Sequence, residues 1–549
     1  MLNIPPNVIN YKNNKQAVID FFSSYKRIII PSFFIISYVL FYFIIDFSTQ
    51  SLVAHDEGLY ARRSRLIEES YNWFSSPFSY PHHKTLGSYW FIALSIRLFG
   101  NSELALRLPS ILSSFICLFI SYLIVIKVSD KKTALISIFS LSSMPLWIQY
   151  SRYASPDIPF VLCILLVILF FLKFLDSNKY INKYIYIFIS GLFISTAFFI
   201  RSYMSFVPII GLSPFLLFHL LKAKKRFKVF FFTGIIVGSI PTIISLYFSY
   251  GKFGIKGIAS LFDFAKNQAV GGFDFKNLLL MPLNYLYYTF PIGILFVILF
   301  VFSRSNNNIK YPLLTYCYPL FSLVILLCMS TSYPHYYLFL LPSLSNLFAI
   351  QLQSYSFKSS ISKEAIKYLL LLLIVLISVI LVSLLFYFNE SLLTYSYGKS
   401  ILVYILPLFL YLSIISSSRY LFDFRKNSIN LIKFFYNIII PQYVFLSLLY
   451  NFGVIGNPNF KTKSFINDKE VSSIIKSNTI YLYNVDTKIK TLLSYYLPSS
   501  KVLKSSDKLK MLDYIITSDR NLIYIYENKR LFKKIKKFDN HFLLMNISK

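Results

Sequence analysis

The chain has 549 residues, 56% of them hydrophobic and only 14% charged, with a mean hydropathy of +0.58. Soluble globular chains are about a quarter charged, so a purely water-facing protein is excluded and a polytopic membrane protein is expected. The formal net charge of +32 does not imply a nucleic-acid partner, because the basic residues cluster between apolar runs, as membrane orientation requires; a codon bias toward A and T, visible in the wealth of Lys, Ile, Asn, Phe and Tyr, also raises lysine without function.

The first 26 residues are polar and mixed, which predicts no cleavable leader, and Arg27 opens an uncleaved first span. A span needs about 20 largely apolar residues. Such runs lie near 27–48, 107–126, 133–150, 158–175, 184–200, 203–221, 229–250, 282–302, 311–330, 336–352, 367–388, 399–418 and 433–450. The expected fold is therefore mainly α, with about thirteen transmembrane helices. Placing Lys12, Lys15, Lys26 and Arg27 in the cytoplasm puts the loops at Lys127/Lys131/Lys132, Lys173/Lys179/Lys183, Lys222–Lys228, Arg304/Lys310, Lys358/Lys363/Lys367 and Arg419–Lys433 there too, as the positive-inside rule predicts. Loop 49–106, the junction 150–157, loop 251–281, the turn 331–336 and the C-terminal tail then face the other compartment.

Loop 49–106 is too long for a connector. In "HDEGLYARRSRLIEES", Asp56, Tyr60 and Arg63 share one helical face, with Glu57 beside them, and the aromatic, amphipathic segments suit a helix lying in the membrane interface. Carboxylates at that depth are unfavourable unless paired or used; alternatively Asp56 and Glu57 simply complement the positive end of a helix. In "PHHK", residues 81–84, adjacent histidines cannot easily share one ion and a zinc site normally needs three or four ligands. Lys84 better suits a phosphate, as a point charge.

The junction "QYSRYASPDIPF" carries Arg152 and Asp157 at the mouth of an apolar bundle, either as a site or as an interfacial salt bridge. In "STSYPHYYLFLLPSLSN", His335, Tyr336 and Tyr337 could hold a headgroup or form an aromatic belt. All four cysteines lie in apolar runs without metal spacing and read as core residues.

From about Asn451 the composition changes. Strand-like "TIYLYNV", "DYIITSD" and "NLIYIYEN" alternate with helical "KIKTLLSYYL", which predicts a small extracytoplasmic α/β domain over 451–549 beside a membrane domain over 1–450. Residues 461–549 hold eighteen Lys/Arg against eight Asp/Glu, either a solvated face or one for anionic lipid or glycan headgroups.

These clusters, in this order, resemble membrane glycosyltransferases of the C-type fold, in particular the bacterial 4-amino-4-deoxy-L-arabinose transferases of lipid A and the protein O-mannosyltransferases. An Asp-Glu-x-x-Tyr-Ala pattern is matched by Asp56, Glu57, Tyr60 and Ala61. Asn72 and Trp73 echo a second family segment; "KTLGSYW" keeps Lys84 and Trp90 of a third but lacks its two prolines. "LFGNSELALRLPS", Asp157 after Arg152, and Tyr337 to Pro342 follow. The likeness covers roughly the first 350 residues. It implies a sugar donor on a polyprenyl phosphate and a lipid, glycan or protein acceptor, at the outer face of a bacterial inner membrane. Asp56 would take the proton of an acceptor hydroxyl, and Lys84 would meet the departing phosphate with Arg63, Arg152 and Arg201 as helpers. Asp157 would orient the acceptor or pair with one of these cations. The aminoarabinose enzymes hold a metal partly through an acidic residue before the lysine. Here His83 stands there, so the likeness carries over no cofactor and leaves His83 as the residue that could ligate a divalent metal. The alternatives are a transporter or flippase, or an O-antigen-type polymerase or ligase, for lipid-linked saccharides. A transporter should carry ionisable residues midway along its spans and internal repeats, whereas here charges gather at one face.

Overall fold

The computed structural model describes residues 50–54, 57–81, 84–270, 275–305, 309–329, 333–357, 361, 363–376, 431–451, 456–503, 511–518 and 532–547. Two short helices come first, α1 (Glu57–Ser70) and α2 (Gly87–Phe99). α2 buries Tyr89, Ile92, Ala93 and Ile96 and exposes Phe91, Leu94 and Leu98. An apolar outer stripe opposite a packed face suits a helix lying at a lipid boundary.

There follow α3 (Glu103–Val128), α4 (Lys131–Ser143), α5 (Pro145–Tyr150), α6 (Asp157–Asp176), α7 (Tyr180–Arg201), α8 (Phe206–Lys222) and α9 (Lys225–Phe253). Among the described residues, four runs are long and apolar enough to cross a membrane: α3, α6, the 43-residue run Tyr180–Lys222 and α9. That last-but-one run contains both spans expected at 184–200 and 203–221, on either side of a 3-10 turn, Ser202–Ser205. The expected span 133–150 is broken. Pro145 has no amide proton and disfavours helix at the residue before it, so Met144 is extended, α4 stops there and α5 starts anew.

Further on lie α10 (Lys256–Val270), α11 (Phe275–Tyr288) and α12 (Ile292–Phe302). Pro282–Tyr288 and Ile292–Phe302 meet at 117°, so the expected span 282–302 is bent and counts as a fifth crossing only if the pair is taken together. β1 (Ser303–Ser305) pairs antiparallel with β2 (Tyr355–Phe357); between them are α13 (Tyr318–Leu327), the 3-10 turn Pro334–Leu340 and α14 (Leu341–Gln353). Residues 363–376 are helical. The runs expected at 27–48 and 399–418, and the end of 367–388, lie outside the described residues, and α15 (Leu431–Asn451) covers the one expected at 433–450.

α7 and α9 cross in close contact. A Cβ on Gly191 would lie 2.1 Å from the Phe231 carbonyl oxygen, and one on Gly234 would lie 2.1 Å from that of Phe188. Small residues let membrane helices approach this way, and Ser239 Oγ donates to Ser195 Oγ at 3.0 Å across the same seam. α6 carries a carboxylate at each end. Asp176 accepts from Lys127 at 2.6 Å, Lys310 at 2.8 Å and Tyr311 at 2.9 Å, so two of the basic loops meet there. Asp157 lies at the opposite end, roughly 30 Å away for 20 helical residues.

The C-terminal region holds α16 (Phe460–Ile466), α17 (Lys469–Ser477), β3 (Ile480–Tyr483), α18 (Thr487–Tyr496), β4 (Lys501–Val502), β5 (Tyr514–Thr517), β6 (Phe532–Phe538) and β7 (His541–Asn546). Its five-stranded sheet runs β4-β3-β5-β7-β6, with β3 parallel to β4 and β5 and the last two strands antiparallel. The strand-like run at 521–528 lies outside the described residues. β6 is an edge strand reading FKKIKKF, and its lysines discourage pairing with another chain. The core beneath the sheet gathers Val471, Ile480, Leu482, Leu493, Ile516 and Leu543.

Candidate active site at one end of the helix bundle

The lead-in segment 50–54 runs into α1, and Glu57 is the first residue of that helix. Its carboxylate is fully buried and saturated. Oε1 accepts from Arg107 Nε and the Ala154 amide, and Oε2 accepts from Arg107 Nη2 and the Val53 amide, each at 2.9 Å. Glu57 thus fastens segment 50–54, helix α3 and the junction before Asp157 together. Glu57, expected to contact substrate, has both carboxylate oxygens turned to protein partners. His55, Asp56, His82 and His83 lie outside the described residues.

One turn along α1, the buried Tyr60 hydroxyl accepts from Lys84 Nζ at 2.8 Å and Arg201 Nη1 at 3.2 Å. The Lys84 ammonium also sits 4.6 Å from the centre of the Tyr60 ring, a cation–π contact. Arg201 Nη2 makes a 2.6 Å ion pair with Asp157 Oδ1. Arg63, another turn along, donates to the Tyr89 hydroxyl at 2.9 Å and the Tyr80 hydroxyl at 3.3 Å.

Two features bring these groups together. The last carbonyls of a helix lack partners within it; at the end of α7 Ile200 O accepts from Ser88 Oγ at 2.6 Å, and Phe198 O, which already receives the Ser202 amide, also accepts from Thr85 Oγ1 at 3.5 Å. Gly87 permits the approach, since a Cβ there would stand 2.4 Å from the Phe199 carbonyl oxygen. Lys84, just before this seam, and Arg201, just after it, therefore fall on the same hydroxyl.

Burial pushes the Lys84 ammonium down to about 8; Tyr89 and Asp157 partly oppose this, while Arg201 and Arg63 add to it. His335 is held well below the usual imidazole range by burial and then by Arg201 and Lys84, so it is neutral at pH 7 beside this cationic cluster. Its Nδ1 lies 3.5 Å from the Tyr150 hydroxyl, and the buried Tyr336 ring packs edge-on against it at 4.6 Å. Three cations, Arg63, Lys84 and Arg201, thus gather with one carboxylate, Asp157, a balance suited to an anionic ligand.

Two expected members point elsewhere. Arg152 reaches Ser447 O at 3.5 Å and stacks over Tyr450 on α15. Tyr337 is 1% exposed and packs on Tyr285 at 5.5 Å, beside an apolar cleft of about 760 Å³. Sequence reasoning missed Arg107, Tyr89 and Tyr150; Arg107 lies within "LFGNSELALRLPS" and Tyr89 within "KTLGSYW", so both sat in segments already singled out. Among the described residues no three His, Cys, Asp or Glu side chains gather as metal ligands.

The fold is that of the C-type membrane glycosyltransferases, multi-pass and mainly α with a small C-terminal sheet. Residues 83–247 match the family described as dolichyl-phosphate-mannose-protein mannosyltransferase. The fold is similar to that of ArnT from Cupriavidus metallidurans bound to undecaprenyl phosphate, with a TM-score of 0.73 and 14% identity over 94% of this chain and 98% of that one. The apo form of ArnT gives a TM-score of 0.70 at 15% identity, over the same shares. An uncharacterized protein of Aquifex aeolicus is 32% identical over 93 residues; that match spans 17% of this chain and 19% of the relative.

Proposed function

We propose that this protein is a glycosyltransferase of the bacterial inner membrane, moving a sugar from a polyprenyl-phosphate donor to a lipid, glycan or protein acceptor at the outer face. The observation that carries the reading is the convergence of Lys84 and Arg201 on Tyr60, next to Asp157, at one end of a bundle whose fold is that of a protein crystallised with undecaprenyl phosphate. The acceptor oxygen bonds to the anomeric carbon as the bond from that carbon to the donor phosphate breaks, and polyprenyl phosphate leaves. Lys84 and Arg201 stabilise the charge that grows on the leaving phosphate. Asp56 takes the acceptor proton when the acceptor is a hydroxyl; a phosphate acceptor needs no base. Arg63 holds Tyr89 and Tyr80 beside this cluster, and Glu57 sets the path of the loop.

A transporter would place ionisable residues midway along its spans. In α3 and α6 they stand near the helix ends, as Lys127, Asp157 and Asp176 do, and Arg201, midway along the run Tyr180–Lys222, sits at the break between α7 and α8, which favours the enzyme. The test is transfer from a radiolabelled polyprenyl-phosphate sugar by purified protein, with Asp56→Asn as the diagnostic variant. Loss of transfer with an unchanged melting temperature is expected, and undiminished turnover would remove Asp56 from the mechanism.

A further inference from the structure

The segment that leads into the acidic pair is held by side chains from the far end of the chain. Gln50, Ser51 and Leu52 are buried and belong to no helix or sheet, yet their backbone groups find partners. Lys463 Nζ donates to Gln50 O at 3.3 Å. Asn457 Oδ1 accepts from the Ser51 amide at 2.9 Å and its hydroxyl at 2.6 Å. The Leu52 amide donates to the Tyr496 hydroxyl at 3.3 Å, and Asn459 Nδ2 donates to Leu52 O at 2.9 Å. Arg107 and Glu57 complete the set through Ser51 O at 3.0 Å and the Val53 amide at 2.9 Å.

The same C-terminal elements grip α1 beyond the acidic pair. Arg65 donates to the carbonyl oxygens of Tyr495, at 2.5 Å, and Ser494, at 3.2 Å, the free end of α18. Leu492 packs against Gly58, and Leu492 and Tyr495 join the apolar core formed by Leu52, Tyr60, Tyr89 and their neighbours. An unpaired buried backbone group is destabilising, so a segment with no ladder of its own follows the path these partners set.

We propose that the C-terminal α/β region is a working part of the active site, with Asn457, Asn459, Lys463 and Tyr496 as positioning residues that fix the path of residues 50–53, the stretch of chain that ends three residues before the proposed base Asp56. This rests on the glycosyltransferase reading for its catalytic half, whereas the clasp itself can be tested without activity. Asn457 makes the sharpest probe, because Asn457→Asp keeps the acceptor oxygen that Ser51 uses and Asn457→Ala removes it. Two measurements are made on the full-length protein: hydrogen exchange at the amides of residues 51–53, and kcat and KM for a polyprenyl-phosphate sugar.

Asn457→Ala should speed exchange at those amides and lower kcat roughly 10- to 100-fold, with KM for the donor within about twofold, since Lys84 and Arg201 are held by Tyr60 and Asp157 and not by residues 50–53. Asn457→Asp should restore both. Should Asn457→Ala not fold, Tyr496→Phe keeps the ring and removes only the hydroxyl, which receives the Leu52 amide and donates to Glu103 Oε1 at 3.2 Å, and the same pattern is expected of it. Unchanged exchange overturns the clasp; faster exchange with wild-type kcat overturns its catalytic role. If the wild type itself transfers no sugar, the glycosyltransferase reading fails and the catalytic half with it, while the exchange result still decides whether the clasp exists.

Discussion

Lys84 is a lysine whose charge is within reach of ordinary pH. With its pKa lowered to about 8, mainly by burial, it is charged below that value and neutral above it, so its pull on a donor phosphate fades as pH rises. The ratio kcat/KM reports groups in the free enzyme; it should hold steady to about pH 7.5 and then fall by up to about tenfold per pH unit. Arginine stays charged throughout this range, so Lys84→Arg should flatten the alkaline limb whatever its absolute rate. A wild-type profile that stays flat to about pH 9.5 would take Lys84 off the phosphate. The acidic pair divides differently from what its spelling suggests. Asp56 and Glu57 look equivalent in the chain, but Glu57 is wrapped by Arg107 and two amides. Glu57→Gln leaves the Arg107 charge buried without its counterion, a loss of roughly 3–5 kcal/mol. That predicts a marked drop in melting temperature in detergent, a change not expected of Asp56→Asn. A Glu57→Gln protein as stable as wild type would show that the pair contributes little. The motif marked the position as charged; its partner stands 50 residues away on a helix of ordinary apolar appearance, and no local pattern reveals which carboxylate is claimed by which cation.

At the level of elements, apolar length was legible and interruption was not. Hydropathy averages over a window, so it located α3, α6 and α9 within a few residues of their observed limits. It passed over the break at Met144–Pro145 and the 3-10 start at Pro334, where the backbone and not the hydrophobicity changes. The C-terminal strands at 480–483 and 514–517 and helix α18 were readable from alternation and period, whereas β6 was hidden by four lysines that an edge strand tolerates. The meeting of α2 with the end of α7 was invisible, because it depends on one missing Cβ. That contact is testable. Gly87→Val would push side-chain atoms into the Phe199 carbonyl, 2.4 Å from where Cβ must go, so α2 has to shift and carry Lys84 off the Tyr60 hydroxyl. A misplacement of about 1 Å at a reacting site can lower rate about 100-fold. The expected outcome is a raised donor KM together with a reduced kcat in a protein that still purifies as a folded monodisperse species. Wild-type constants in Gly87→Val would mean that the seam does not set the position of Lys84.

At the scale of the whole molecule, the charge pattern and the geometry point the same way. Lys127 and Lys310, from separate basic loops, converge on Asp176 at one end of α6. Lys84, Arg201 and Asp157 converge at its other end. The loop at Asn72 belongs with the second group and the loop at Lys132 with the first, and both residues are exposed. The positive-inside rule predicts the Asp176 end in the cytoplasm, and the proposed site would then face the opposite compartment. Single cysteines at these positions decide the matter. The four native cysteines are first replaced by serine or alanine; Cys117 and Cys163 are buried, so alanine suits those two. In intact cells a membrane-impermeant maleimide should label Asn72→Cys and, on the C-terminal region, the exposed Lys488→Cys, but should reach Lys132→Cys only after permeabilisation. The reverse pattern would turn the protein over and put the cationic cluster in the cytoplasm. Labelling of Asn72→Cys and Lys488→Cys from opposite sides would be incompatible with α18 packing on α1, because that packing puts both on one face of the membrane.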